Sequence, residues 1–316
     1  MKALVVGAGA VGQVFGYHLA RGGADVTFYV RPKYVDACRR GFTLYPLSEH
    51  DAVRFEGFGV VTTADGGAWD QVYLTVSSPA LRSGSWLDEI ARATGAATII
   101  KLQPGLHDRE FLAERVDPAR IVDGTINFLS YHAPLPGETR FAEPGMAYWL
   151  FPGKGPFSGD DPARVVAVVE ALEAGGLPAK RVRDATTLSR YGSAILCTFV
   201  AALEAADWSF AEMRARRTVD LGARAAAEAL RVVGRERGGA PLPPRLVAHP
   251  LAFRTILRVA PHLMPVDLEA YLRLHFTKVA DQTHETLALY VTQGKAAGLA
   301  VPALEELAGH VLGPAS

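Results

Sequence analysis

The chain of 316 residues carries 33 basic and 33 acidic side chains, and 49% of it is hydrophobic. That is enough apolar material for two domains, and zero formal charge argues against nucleic acid or an anionic membrane as partner. Cys38 and Cys197 are too few and too far apart for a disulfide framework, which points to a reducing cytoplasm. No run of about 18 apolar residues suggests a membrane span, and no H-E-x-x-H or C-x-x-C spacing supports a metal site.

The amino-terminal stretch MKALVVGAGAVGQVFGYHLARGGADVTFYVRP reads as strand, turn, helix, turn, strand. Lys2 before an apolar run has the outline of a secretion signal, but the glycine spacing accounts for the run better. Ala3 to Val6 is continuously apolar, as in a strand covered on both faces. The fingerprint G-x-G-x-x-G falls on Gly7, Gly9 and Gly12, with Ala8, Ala10 and Val11 between them. Gly7 serves a tight turn, Gly9 lets backbone approach a pyrophosphate, and Gly12 lets the helix pack closely on the sheet. Gly16 extends that contact one turn on. The helix stops at Gly22-Gly23, and its amino end offers free amides to an anion. The plain alternative is a glycine-rich turn without a ligand. The flanking strands and helix favour a dinucleotide site.

The second strand ends in Arg31 and holds no acid after Asp25, which lies too early. NAD-selective folds place an acid there for the ribose 2′-hydroxyl, whereas a guanidinium takes a 2′-phosphate through paired hydrogen bonds. Arg31, with Lys33 nearby, therefore points to NADP(H); the alternative is a solvated arginine. DQVYLTVSS and ATIIKLQPG each close a strand in a small-residue turn, where ligands collect. Ser77, Ser78, Lys101, Gln103, Pro104 and Gly105 are the lining candidates. RIVDGTINF and MAYWLFPG read as later strands, DPARVVAVVEALEAGG as an amphipathic helix, and LPAKRVRDA as a final edge strand. Residues 1–184 thus form a Rossmann-type, doubly wound α/β domain for NADP.

Residues 185–316 read as an all-α domain for substrate and dimerisation, with the substrate in a cleft between the domains and a homodimer as the suggested assembly. Leu188, Tyr191, Ile195 and Phe199 share helical spacing and read as core. GAPLPPRLVAHP reads as a loop or short connection. In HFTKVADQTHETL, Lys278, Asp281, Gln282 and Glu285 follow i, i+3, i+4, i+7 spacing, with His275 and His284 beside them. Such a stripe is either a solvated face or an active-site wall.

On these residues the chain resembles the ketopantoate reductase (2-dehydropantoate 2-reductase) family over nearly its full length. GAGAVGQVFG is similar to the family's glycine loop, and Arg31 to its NADP-selecting arginine. KLQPG stands where the family carries Leu-Gln-Asn-Gly, and GLAVPALEEL, residues 298–307, resembles its Gly-x-x-x-Pro segment. The resemblance implies NADPH-dependent reduction of a 2-oxo acid to a 2-hydroxy acid. It implies a lysine proton donor early in the first long helix of the second domain, an asparagine one turn later, and a late carboxylate for substrate hydroxyls. This chain is a divergent member. Arg190 stands at the lysine, Ala194 at the asparagine, Pro104 at the motif asparagine and Ser77 at a strand-end lysine; Gln282 or Glu285 lies near the late glutamate.

Carbonyl reduction needs a group that stabilises or protonates the developing alkoxide. An arginine, with a pKa above about 12, does not readily release a proton but can clamp a carboxylate. Arg190 therefore reads as the carboxylate clamp and Lys278 or His284 as the proton donor, with Glu285 completing the catalytic set. Lys101 and Tyr191 are further donor candidates. Rival readings are a reductase of another ketone or imine, and a catalytically silent NADPH-binding sensor. No nucleophile-elbow pattern supports a hydrolase.

Overall fold

The computed structural model describes residues 1–49, 51–235 and 238–313. Two compact units divide the chain, Met1–Thr186 and Thr187–Ser316. The first runs β1 (Lys2–Val6), α1 (Ala10–Arg21), β2 (Asp25–Tyr29), α2 (Val35–Arg39), β3 (Phe42–Pro46), β4 (Val53–Phe55), β5 (Gly59–Val61) and β6 (Gln71–Leu74). It continues through α3 (Ser78–Arg82), α4 (Trp86–Ala93), β7 (Thr98–Lys101), α5 (Asp108–Ala113), β8 (Ile121–Gly124) and β9 (Phe128–Ala133). It ends with β10 (Gly145–Leu150), β11 (Gly155–Gly159), α6 (Pro162–Ala174) and β12 (Ala179–Arg181).

Eight strands form the main sheet, in the order β12-β11-β8-β7-β6-β1-β2-β5. From β5 to β8 the neighbours are all parallel. Read by sequence, those six strands follow the 3-2-1-4-5-6 order of a dinucleotide-binding fold. β11 turns antiparallel to β8, and β12 closes the edge. Alternate residues of β1 feed two cores: Ala3 and Val5 meet apolar side chains of α1 and α6, while Leu4 and Val6 meet those of α3, α4 and α5. A strand covered on both faces is apolar throughout, hence the unbroken run.

A second sheet, β4-β3-β10-β9, is absent from the sequence reading. RIVDGTINF, expected as one strand, splits: β8 ends the parallel series and β9 leaves to pair antiparallel with β10. The break has a local cause. Phe157 occupies the space where a side chain on Gly124 would sit, and Asn127 Nδ2 turns to donate to Gly153 O at 3.1 Å. The second sheet backs α1: Phe15 packs between Tyr73 of β6 and Phe128 of β9, ring centroids 5.7 and 5.4 Å away.

The described part of the second unit is helical: α7 (Ala185–Glu204, its first two residues in the first unit), α8 (Phe210–Ala215), α9 (Thr218–Gly234), α10 (Leu242–Val247), α11 (Pro250–Leu263), α12 (Leu268–Lys278), α13 (Ala280–Ala296) and α14 (Pro302–Leu312). α9 packs against α11, α13 and α14. Its small residues permit close approach; a Cβ on Gly222 would stand 2.7 Å from Ala202 Cβ on α7. Two expectations are corrected here. GAPLPPRLVAHP contains α10, because Pro243 and Pro244 lie in its first turn, where a missing N–H costs nothing. On α7 Tyr191 is buried, but Leu188 is 48% exposed and Ile195 and Phe199 are half-buried. The buried face is made instead by small residues, among them Ala194, Thr198 and Ala201.

Each unit holds one cysteine, both buried and unbridged. Burial raises the Cys38 thiol pKa, and burial followed by the Glu204 charge pushes Cys197 up to about 12. Among the described residues no helix is long and apolar enough to cross a membrane, and no cluster of three or more His, Cys, Asp or Glu is placed for a metal.

Candidate functional site

β1 delivers the chain to Gly7, whose φ of +99° is a conformation side chains rarely adopt. Gly7 N donates to Tyr29 O at 3.0 Å, tying the turn to the end of β2. Thr75 Oγ1, just past β6, lies 2.8 Å from Val6 O and 2.9 Å from Gly7 O. A Cβ on Gly12 would meet Gly7 O at 2.0 Å, and one on Gly16 would meet Phe28 Cζ at 2.4 Å, so both glycines serve packing. A Cβ on Gly9 would find nothing within 4 Å. The turn is therefore locked from beneath and open at Gly9. α1 begins there with no side-chain cap and no acid in its first turn, an arrangement able to accept an anion at its leading amides.

Arg31 follows β2 on the surface, at the start of the 3-10 turn Pro32–Tyr34. Its guanidinium lies 5.2 Å from the Tyr34 ring centroid and its Nη2 donates to Tyr34 Oη at 3.3 Å. Lys33 Nζ stands 5.0 Å from the same ring. Two cations thus share one aromatic side chain beside the glycine turn. Asp25 pairs with Lys2 at the far end of β2, away from the turn. Tyr34 escaped the sequence reading; its i+3 spacing from Arg31 across a proline was the available signal.

The expected lining residues at the ends of β6 and β7 prove to be largely engaged with the protein. Ser77 Oγ accepts from Ala80 N at 3.4 Å and caps α3. Ser78 Oγ, Arg82 Nη2 and Gly105 N donate to the fully buried Asp108 carboxylate at 2.7, 2.6 and 2.8 Å. Gln103 is held by the ends of two strands. Its Nε2 donates to Leu74 O at 2.9 Å and Val76 O at 2.7 Å, and its Oε1 accepts from Leu102 N at 3.2 Å. The amide spans two strand ends. Pro104 follows it, partly buried, before Gly105. Lys101, considered as a proton source, is buried; its Nζ donates to Gln103 O at 2.8 Å and faces Asp123 Oδ1 at 3.3 Å. That oxygen makes no hydrogen bond, yet Lys101 stands beside it and Arg109 holds the other oxygen, so the carboxylate is ion-paired on both sides. Asp108 and Asp123 were not foreseen. They stiffen the carboxyl edge of the sheet next to the glycine turn. An open groove of about 510 Å³, lined by Met1, Asp70, Gln71, Thr98 and Arg164 among others, lies at the opposite, amino edge of the strands.

In the helical unit the polar stripe expected from Lys278 to Glu285 is interrupted. Val279, at φ −119° and ψ 26°, ends α12, and α13 restarts at Ala280. Lys278 is exposed at the end of one helix while Asp281, Gln282 and Glu285 ride the next. His284 is half-buried, and its Nε2 lies 3.0 Å from both Glu204 oxygens. His275 is a poor proton carrier, since burial and then the Lys278 charge lower its pKa. Glu204 stands fourteen positions after Arg190 on α7, about 21 Å of helix rise. A small acid held by Arg190 therefore does not reach the Glu204 end of the helix.

The strand order, the glycine turn at the switch between β1 and β6, and the helices that follow define a Rossmann-type α/β fold with an all-helical carboxyl-terminal region. Residues 3–150, within the α/β unit, match the family described as Ketopantoate reductase PanE/ApbA. No curated protein matches the sequence. Solved structures extend the likeness over the whole chain. A D-mandelate dehydrogenase bound to NADH and anilino(oxo)acetate superposes with a TM-score of 0.76 at 16% identity, covering 99% of this chain and 97% of that one. A PanE/ApbA family ketopantoate reductase from Ralstonia eutropha JMP134 gives 0.72 at 22% identity, covering 99% and 97%. A 2-dehydropantoate 2-reductase from Geobacter metallireducens GS-15 gives 0.72 at 18% identity, covering 99% of each chain. At such identities the shared property is the fold.

Proposed function

We propose that the chain is an NADP(H)-dependent reductase of a small 2-oxo acid. One observation carries the reading: the exposed Arg31 guanidinium stands beside an uncapped glycine turn, with no carboxylate at that strand end. A carboxylate there would repel a 2′-phosphate; a guanidinium pairs with it. The family match and the oxo-acid ligand of the D-mandelate dehydrogenase structure support the substrate class.

The residues fit the cofactor. The open side of Gly9, with Ala8, Ala10 and Val11 around it, leaves room for a pyrophosphate against the first amides of α1. Arg31 and Lys33 take the 2′-phosphate, with Tyr34 holding both cations in place. When bound, the nicotinamide would supply a hydride to the carbonyl carbon, and a proton from solvent would complete the alcohol. Arg190 holds the substrate carboxylate, a role suited to a fork of donors that keeps its charge. Lys278 and Glu285 lie on the surface of α12 and α13, and His284 is turned toward Glu204.

The replacement of a family lysine by Arg190 and of a family asparagine by the fully buried Ala194 favours one other reading, an NADPH-binding protein without turnover. Titration with NADPH and NADH, followed by nicotinamide absorbance with a panel of 2-oxo acids, ketones and imines, separates the two. Tighter NADPH binding and oxidation by 2-oxo acids are expected. A preference for NADH, or tight NADPH binding with no oxidation, overturns the reading.

A further inference from the structure

Among the described residues, the helical unit buries one hydroxyl that has no hydrogen-bond partner. Tyr290, in α13, has none of its surface exposed, and its Oη makes no hydrogen bond. Buried hydroxyls are nearly always paired, because an unpaired one has given up water without compensation. Phenylalanine would fill the same volume without that cost. The hydroxyl therefore has a use outside packing.

Its surroundings indicate which use. Arg190 and Cys197 lie seven positions apart on one face of α7, as do Thr283 and Tyr290 on one face of α13. Cys197 Sγ donates to Thr283 O at 3.4 Å and joins those faces. Burial, and then Cys197, raise the Tyr290 pKa well above its ordinary value, while the nearby Arg190 charge works the other way. A phenol so placed keeps its proton and acts as a donor. A neutral donor beside a guanidinium is a place for an oxygen anion.

We propose that Tyr290 Oη is the second donor to the substrate carboxylate held by Arg190, and that this pair selects anionic 2-oxo acids over neutral ketones. The inference rests on the 2-oxo acid reductase reading above.

The test is Tyr290→Phe in the full chain, beside Arg190→Lys and the double variant. Thermal melting, NADPH binding by fluorescence, and KM and kcat for the 2-oxo acid reduced by the wild type are measured. Melting at or above the wild-type temperature and unchanged NADPH binding are expected. KM rises about tenfold while kcat stays within about twofold. The double variant raises KM by less than the product of the single effects, because both groups hold one carboxylate. Unchanged KM, a loss confined to kcat, or lowered melting in Tyr290→Phe overturns the role of Tyr290 and leaves the reductase reading standing. A wild-type chain that binds NADPH but oxidises it with no 2-oxo acid overturns that reading, and this inference with it.

Discussion

The two units build their candidate sites from different materials. In the first, the candidate site is made of backbone: an open glycine, the leading amides of α1, and strand ends clamped by Thr75, Gln103 and Asp108. In the second, side chains seven and fourteen positions apart on α7 meet residues of α13. A backbone site demands particular residue types at fixed spacing, so it leaves a fingerprint. A side-chain site between helices looks like any other polar stripe until the partner helix is known.

The largest expected effect tests the first half of that contrast. Gly12→Val would drive a side chain into Gly7 O and Thr75 Oγ1. Such overpacking costs about 1–3 kcal/mol or more, and loss of NADPH binding with lowered thermal stability is expected. Gly9→Ala, which meets no atom within 4 Å, should fold normally. Equal stability of the two variants, read by thermal melting, would erase the distinction between packing glycine and open glycine.

Next comes Arg31→Ala. Charge-assisted hydrogen bonds contribute about 1.5–3 kcal/mol, so NADPH affinity should fall between about tenfold and a hundredfold. NADH affinity should stay level. Parallel losses for both coenzymes in a fluorescence titration would mean that Arg31 shapes the loop instead of reading the phosphate.

A smaller effect concerns acid stability. His18 is buried, with Nδ1 2.8 Å from Gly175 O and Nε2 without a partner, and burial lowers its pKa. His275 is lowered too, by burial and then by Lys278. Below the ordinary histidine pKa of about 6.5 the unfolded chain takes up protons that the folded chain refuses. Stability is therefore full above that pH and falls below it. Melting temperatures measured from neutral pH downward should decline, and His18→Asn, which retains an N–H for Gly175 O, should flatten part of the slope. An unchanged slope would show that His18 gains its proton without penalty.

The smallest effect belongs to Lys278→Ala. The side chain is exposed at the end of α12, so stability should move by no more than about 0.5 kcal/mol and turnover should hold. A large loss of kcat would make Lys278 the proton donor.

What was legible follows from the same contrast. The glycine turn, the position of Arg31, α6 and the edge strand at Ala179–Arg181 announce themselves through local spacing and strand composition. The second sheet does not, because β8 and β9 are only three residues apart, and the turn between them depends on contacts with the distant Phe157 and Gly153. α10 was hidden by prolines that sit harmlessly in a first turn. The break at Val279 has neither glycine nor proline to mark it. Asp108 and Gln103 look like ordinary loop residues, and only the fold shows that they staple neighbouring strand ends together. Tyr290 reads as an aromatic core residue, which it also is.

The placement of the cysteines gives the protein a built-in pair of clocks. Only thiolates react with alkylating reagents, and both thiols are buried with raised pKa values, so labelling at either one waits for local opening. With Cys38 in the α/β unit and Cys197 in the helical unit, the two modification rates time the opening of each unit separately, in one sample and without any mutation.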